Sequence, residues 1–143
     1  MGSYTIPAAM KVRPKGLVFA IEPSPAFNIL KVNISLNRLD NVIALNKAAY
    51  SKIAYLNFWW EPRLGSRAKI SHRGLLKIKA EPIDHMLLNL DLPIDVIKIL
   101  KIDVEGAEFE VLKGAAATLE STQSVVIECR PVSYTHLTLP TTE

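Results

Sequence analysis

The segment that most constrains this chain is IKILKIDVEGAEFE, from Ile97 to Glu110, an apolar run that ends in a carboxylate-rich turn and passes directly into a helical pattern. A nearly continuous apolar run marks a strand covered on both faces, and such strands belong to parallel sheets flanked by helices. Open α/β sheets place their chemistry at the carboxyl ends of strands. Asp103, Glu105 and Glu108 therefore stand where a carboxylate can orient a hydroxyl, take a proton or bind a cation, with Gly106 available for the turn.

The same alternation runs through the rest of the chain. Thr5 to Val12 has the spacing of a short helix, and Pro14-Lys15-Gly16 marks a turn. Leu17 to Ile21 is a second continuous apolar run, ending at Glu22-Pro23. Ser24 can cap a helix with Pro25 at its first position, and Phe27, Leu30 and Ile34 follow at helical spacing. Val42 to Ala49, Ala54 to Trp60 and Leu75 to Ala80 read as strands, the last two separated by a polar, basic loop. Ile83 to Leu90 reads as a helix and Ile94 to Ile102 as a buried strand. Ala107, Val111, Leu112, Ala115 and Leu119 trace the inner face of one helix, and Ser124 to Glu128 is a final strand. Strands alternating with helices predict an α/β fold with a parallel, doubly wound sheet and right-handed crossovers.

Bulk properties narrow the function classes. The chain has 143 residues, enough for one domain with a hydrophobic core. Its net charge of +3 does not demand a nucleic-acid partner, which needs clustered charge on a suitable fold. Cys129 is the single cysteine, so no internal disulfide can form. No apolar run approaches the roughly 20 residues that span a bilayer. The N-terminal apolar stretch is short and broken by Pro7, unlike a secretory signal, so a cytoplasmic location is expected. Oligomeric state stays open. Residues 1–130 are expected to form one partial domain. Residues 131–143, Thr-rich and without periodicity, read as a loose, non-native tail in which His136 has no role.

Glu22, at the end of a buried strand, has the position of an acidic residue that accepts hydrogen bonds from both ribose hydroxyls of a nucleotide. An ionised carboxylate suits that task because it is acceptor-only with two oxygens. A helix-entry role for Glu22 is the alternative. Glu108 lies one turn into its helix, where negative charge is stabilising without any ligand. Glu128 ends its strand and is a weaker candidate. Between Arg63 and Lys79 the chain carries Arg63, Arg67, Lys69, Arg73, Lys77 and Lys79 without an acidic residue, and Trp59-Trp60 precede it. This segment reads either as a flap for an anionic or sugar acceptor or as a solvated hairpin, and His72 within it is a lone loop histidine.

Two blocks in fixed order, VFAIEPSPAFNILKVNISLNRLDNVIALNKAA and IDVIKILKIDVEGAEFEVLKGA, followed by VVIEC, resemble the S-adenosylmethionine-dependent methyltransferases of the FkbM type. The resemblance runs from Gly2 to Cys129. It implies a Rossmann-like class I fold and transfer of a methyl group to a hydroxyl of a sugar, glycan or other small metabolite. Carried over by position, it implies that Glu22 holds the cofactor ribose and that Pro23 and Ser24 shape the turn beside the adenosine. Asn46, Lys47 and Ala48 would border the adenine, while Gly2, Tyr4 and Thr5 match the trailing end of the family's glycine-rich turn. Asp103 would position the acceptor or take its proton, with Glu105 second to it.

The family's fold opens with a strand and glycine-rich turn and continues beyond VVIEC. The expectation is thus a domain truncated at its first strand and after its fifth, and an inactive fragment. Asp103 with Glu105 offers oxygen ligands to a hard divalent ion, but two carboxylates do not make a site, so no metal residues are assigned and metal is not favoured. The other readings are a nicotinamide-dependent oxidoreductase fragment, since Glu22 also suits that ribose, and a non-catalytic α/β interaction module. Asp103-Val104-Glu105-Gly106 favours the methyltransferase.

Overall fold

The computed structural model describes residues 2–61, 67–71, 73–90, 92 and 94–128. Arg63, His72, Cys129, His136 and the expected tail at 131–143 lie outside the described residues, and so do the side chains of Arg67 and Lys69.

The first half of the fold is one strand–helix–strand unit preceded by a helix. Helix α1 covers Thr5–Val12, strand β1 Val18–Ile21, helix α2 Ala26–Leu36 and strand β2 Val42–Leu45. β1 and β2 pair in parallel, from Val18 opposite Val42 to Ile21 opposite Leu45. The apolar spacing of α2 buries Ala26 and Leu30. The helix ends where Arg38 turns the backbone into the left-handed region at φ 51°. Asn41 ties α1 to this unit by donating its amide N–H groups to the carbonyls of Ala9 and Gly16.

Beyond β2 the expected strand Val42–Ala49 divides. Asn46 and Lys47 interrupt it, and Ala48–Ala49 becomes β3 in a second sheet. That sheet contains β4 (Ala54–Glu61), β5 (Arg67–Ile70) and β6 (Leu76–Glu81) in the order β3-β6-β4-β5. β3 lies parallel to β6, whereas β4 is antiparallel to both β5 and β6. The segment taken as a basic loop thus supplies a strand, β5. Period-two patterning decides the two faces. Leu56, Phe58, Leu76, Ile78 and Ala80 point to one side, around a core of Ala48, Phe58 and Ala80. Tyr55, Asn57, Trp59, Lys77 and Lys79 point to the other and are exposed.

The third piece pairs β7 (Leu100–Ile102) in parallel with β8 (Val125–Ile127). The strand expected over Ile94–Ile102 is shorter, extended only by a bridge between Ile97 and Thr122. Helix α3 (Ile83–Leu88) precedes it. The single helix expected between β7 and β8 is two, α4 (Glu108–Lys113) and α5 (Ala116–Glu120). The break falls at Gly114, where a Cβ would lie 2.1 Å from the carbonyl oxygen of Tyr50. The chain turns there because another backbone touches it, and only glycine fits so close an approach.

The fold is mixed α/β with parallel pieces, as expected. Among the described residues, however, those pieces form separate hydrogen-bonded sheets and not one doubly wound sheet. What unites them is packing. Ile83, Ile102, Val111 and Ala115 form a buried cluster against which Ile21, Ala49, Leu100 and Ile127 pack. Burying each of the two isoleucines is worth roughly 1.5–3 kcal/mol. The same cluster receives the ends of β1 and β7, so Glu22 and Asp103 both emerge from its rim.

Candidate active site

Glu22 follows β1 and is built into the turn that starts α2. Ser24 donates both its backbone N–H, at 2.9 Å, and its hydroxyl, at 2.6 Å, to Glu22 Oε1. The Ser24 hydroxyl oxygen in turn accepts the N–H of Ala26 at 3.2 Å. α2 begins at Ala26, one residue later than the sequence suggests, yet Ser24 still satisfies one of its first N–H groups. Asn46, just past β2, donates its amide to the Glu22 carbonyl at 2.9 Å. These bonds fix the carboxylate through Oε1 and leave Oε2 outside them.

Beside this turn is a shallow recess of about 190 Å³, lined by Ser24, Phe27, Asn28, Asn46, Leu76 and Ile78 among others. The inward face of β6 thus forms a wall of it. Small-molecule sites usually occupy about 300–1,000 Å³, so the recess suits part of a nucleoside-sized ligand. An apolar wall, a phenyl ring and the amides of Asn28 and Asn46 line the recess, while Glu22 is not among the lining residues and reaches it only through its bonds to Ser24 and Asn46. Pro23 also lines the recess. Ala48 does not: it is buried in the second sheet, in the core with Phe58 and Ala80. Lys47 turns to Glu81, with Nζ 2.9 Å from Oε2.

The β7 end has a different character. Lys101 Nζ lies 2.9 Å from Asp103 Oδ2 and 3.6 Å from Glu128 Oε2. It also lies 4.2 Å from the centroid of the Tyr4 ring. Burial opposes the charge on Lys101, but the Asp103 hydrogen bond and the fields of Asp103, Tyr4 and Glu128 outweigh it, so its pKa is raised. Asp103 therefore faces a permanent ammonium while its own side chain is 46% exposed. Glu105 lies in the following turn, where Gly106 has φ +85°. The Gly106 N–H is donated to Glu108 Oε1 at 3.0 Å, and Glu108 is the first residue of α4, not one turn into it.

Of Gly2, Tyr4 and Thr5, it is Tyr4 that lies beside this end. Gly2 has φ +84°, and a Cβ there would meet Leu30 Cδ1 at 2.9 Å. Its carbonyl accepts the Ile6 N–H at 2.9 Å, so the turn leads directly into α1, which Thr5 begins. The structure brings Tyr4 to Asp103 through Lys101, and it brings Glu22, Ser24 and Asn46 together.

Two charged groups stand out that sequence reasoning did not single out. Lys101 was hidden inside the apolar run, where its one usable signal was a cation at an otherwise buried strand position. Glu81 is the other. It is 1% exposed and surrounded by Lys47, by Lys79 Nζ at 2.5 Å and by His85 Nδ1 at 3.3 Å. Oε1 has the Lys79 ammonium close by, but in ion-pair contact without directed hydrogen-bond geometry. The Lys47 hydrogen bond first, then the Lys79 ammonium, outweigh burial, and with His85 they hold its pKa down at about 2. Among the described residues no group of three or more His, Cys, Asp or Glu side chains is placed to hold a metal ion. No described helix is long and apolar enough to cross a membrane.

The family model for the methyltransferase FkbM domain matches residues 2–138. Over 116 residues the chain is 34% identical to the hexuronic acid methyltransferase AglP of Haloferax volcanii, an alignment covering 80% of this chain and 47% of that protein. The chain thus spans about half the length of this curated relative. No solved structure matches it. With Glu22 and Asp103 at the rim of one apolar cluster and the family model spanning nearly the whole chain, the protein belongs to the FkbM methyltransferase family.

Proposed function

We propose that this domain transfers a methyl group from S-adenosylmethionine to a hydroxyl of a sugar acceptor. The observation that carries the reading is the Glu22–Ser24–Asn46 arrangement beside the recess. S-Adenosylmethionine supplies an activated methyl on a sulfonium. Glu22 Oε2 accepts from the ribose hydroxyls, while Phe27, Leu76 and Ile78 cover the apolar side of the nucleoside.

The remaining work falls to the β7 end. A sugar hydroxyl is a weak nucleophile, so it must be aligned and must lose its proton during or after transfer. Alignment alone supplies up to roughly 7–11 kcal/mol in well-oriented reactions. Asp103 accepts the hydroxyl's hydrogen bond and takes the proton. Lys101 keeps Asp103 oriented and balances its charge. Glu105 sits one turn on, as a second contact to the acceptor. The similarity to a hexuronic acid methyltransferase supports a sugar, and an acidic one, as the acceptor class.

Calorimetry with S-adenosylhomocysteine tests the cofactor half, on this chain and on a form extended to the length of the Haloferax relative. Glu22→Gln should weaken binding about tenfold, from one charge-assisted hydrogen bond lost, with the melting temperature unchanged. Equal affinity removes Glu22 from the ribose. Failure of both forms to bind removes the methyltransferase reading of the recess.

A further inference from the structure

The outward face of the second sheet has no role in the recess, yet it is not an ordinary solvated face. Along β4 the side chains of Tyr55, Asn57 and Trp59 alternate outward, and Tyr55 and Trp59 are 64% and 43% exposed. On β6, Lys77 pairs across from Asn57 and Lys79 from Tyr55. Lys77 Nζ lies 5.2 Å from the centroid of the Tyr55 ring and makes no ion pair among the described residues. In β4 and β6 the carboxylates are confined to the last residue of each strand, Glu61 and Glu81.

Large exposed rings are costly to leave in water, and a cluster of them marks a recognition surface. Tyr and Trp present a flat apolar body with a polar edge, which suits ligands that are apolar on one face and hydroxylated at the rim. A pyranose has that form. Four residues of antiparallel strand set Tyr55 and Trp59 roughly 14 Å apart, longer than one sugar ring. Lysines between and beside the rings supply the charge complement of carboxylates.

We infer that this face, built on Tyr55, Asn57, Trp59, Lys77 and Lys79, is a docking platform for an acidic oligosaccharide: the part of the acceptor beyond the sugar that is methylated. The inference rests on the sugar-methyltransferase reading and adds to it a second contact surface. Leu76 and Ile78 of the same strand line the recess from its opposite face, so β6 carries both surfaces. Trp59 stacks on a sugar ring, Lys77 pairs with a carboxylate, and Asn57 takes hydroxyls between them. Lys79 is partly neutralised by Glu81 and contributes less.

The test is calorimetric titration of the full chain with a linear hexuronate trimer, with the neutral hexose trimer of the same linkage, and with a short oligothymidylate. The hexuronate should bind most tightly and weaken as salt rises. Trp59→Ala should weaken it about tenfold, and Lys77→Gln about threefold, with a shallower salt dependence. Tyr55→Ser serves as a second ring variant should Trp59→Ala lose its thermal transition. S-Adenosylhomocysteine affinity is measured on every variant. Unchanged cofactor affinity with lost saccharide binding supports the platform. Saccharide binding that is absent in the unsubstituted chain, or indifferent to Trp59, Tyr55 and Lys77, overturns it while leaving the cofactor reading standing. Tighter binding of the oligothymidylate overturns it in favour of a nucleic-acid surface. Loss of cofactor binding alone strikes the methyltransferase reading and not the platform.

Discussion

Glu81 and Asp103 are both carboxylates at the carboxyl ends of strands, and both are held by lysine, yet their surroundings are opposite. Glu81 is 1% exposed and faces Lys47, Lys79 and His85 together. Asp103 is half open and shares a single lysine with Glu128. With cations in excess around it and no room for a ligand, Glu81 is locked ionised and serves the fold. With one oriented ammonium and an open side, Asp103 can meet a hydroxyl. What separates a reactive carboxylate from a structural one is the ratio of partners to access, not position at a strand end.

The largest effect that could break this contrast is on turnover. Asp103→Asn removes the proposed proton acceptor but keeps the shape and a hydrogen-bonding oxygen toward Lys101. Methyl transfer to the sugar acceptor should fall roughly 10²–10⁴-fold, the usual weight of a positioned acid or base. Thermal stability should move by no more than about 0.5 kcal/mol, as for an exposed substitution. Turnover at the unsubstituted rate would end the proposed role of Asp103.

Glu81→Gln should do the reverse. The folded-state pKa of about 2 lies below the ordinary value of 4.5, chiefly through the Lys47 hydrogen bond and then the Lys79 ammonium. A depressed carboxylate pKa stabilises the fold fully above the unfolded value. That contribution declines as pH falls from about 4.5 toward 2. Its lysine partners are partly exposed and hydrated, so the expected stabilisation is about 2–3 kcal/mol. The substitution should lower the melting temperature by roughly 5–12 °C at neutral pH. It should also remove part of the acid sensitivity in that window. An unchanged melting profile at neutral pH and within that acid window would show that Glu81 is not what holds the β6 end.

The contrast also explains what the sequence disclosed. Thr5–Val12 was legible as a helix because its apolar spacing is local. The positions of Glu22, Ser24 and Asp103 were legible because strand ends and helix starts have their own residue signatures. Lys101 was not, since a cation within IKILKID reads as a flaw in an apolar run until Asp103, Glu128 and Tyr4 are seen around it. Glu81 was not, because Lys47 and His85 reach it from other elements. Neither the division of Val42–Ala49 nor the break at Gly114 was legible. The first places β3 beside β6, and the second is forced by the Tyr50 carbonyl. Both are long-range contacts that leave no periodic trace.

A third carboxylate sharpens the comparison, with the smallest effect of the set. Asp84, at the start of α3, has backbone partners where Glu81 has cations. Its Oδ2 accepts the Ala117 N–H at 3.0 Å, and its Oδ1 accepts the Thr118 N–H at 2.8 Å and the Thr118 hydroxyl at 2.5 Å. It therefore closes the start of α5 from another helix, satisfying N–H groups that a helix cannot satisfy itself. Asp84→Ala should cost about 1–2 kcal/mol, the range for losing a helix cap. The two structural carboxylates should then separate by salt. The Glu81 contribution depends on charge pairs with partly exposed lysines and should shrink as ionic strength rises. The Asp84 contribution rests on short hydrogen bonds to amides and should persist. Denaturant melts of both variants at low and high salt decide this: equal salt dependence would mean that Glu81 too acts through packing and hydrogen bonding, and that its cations are incidental.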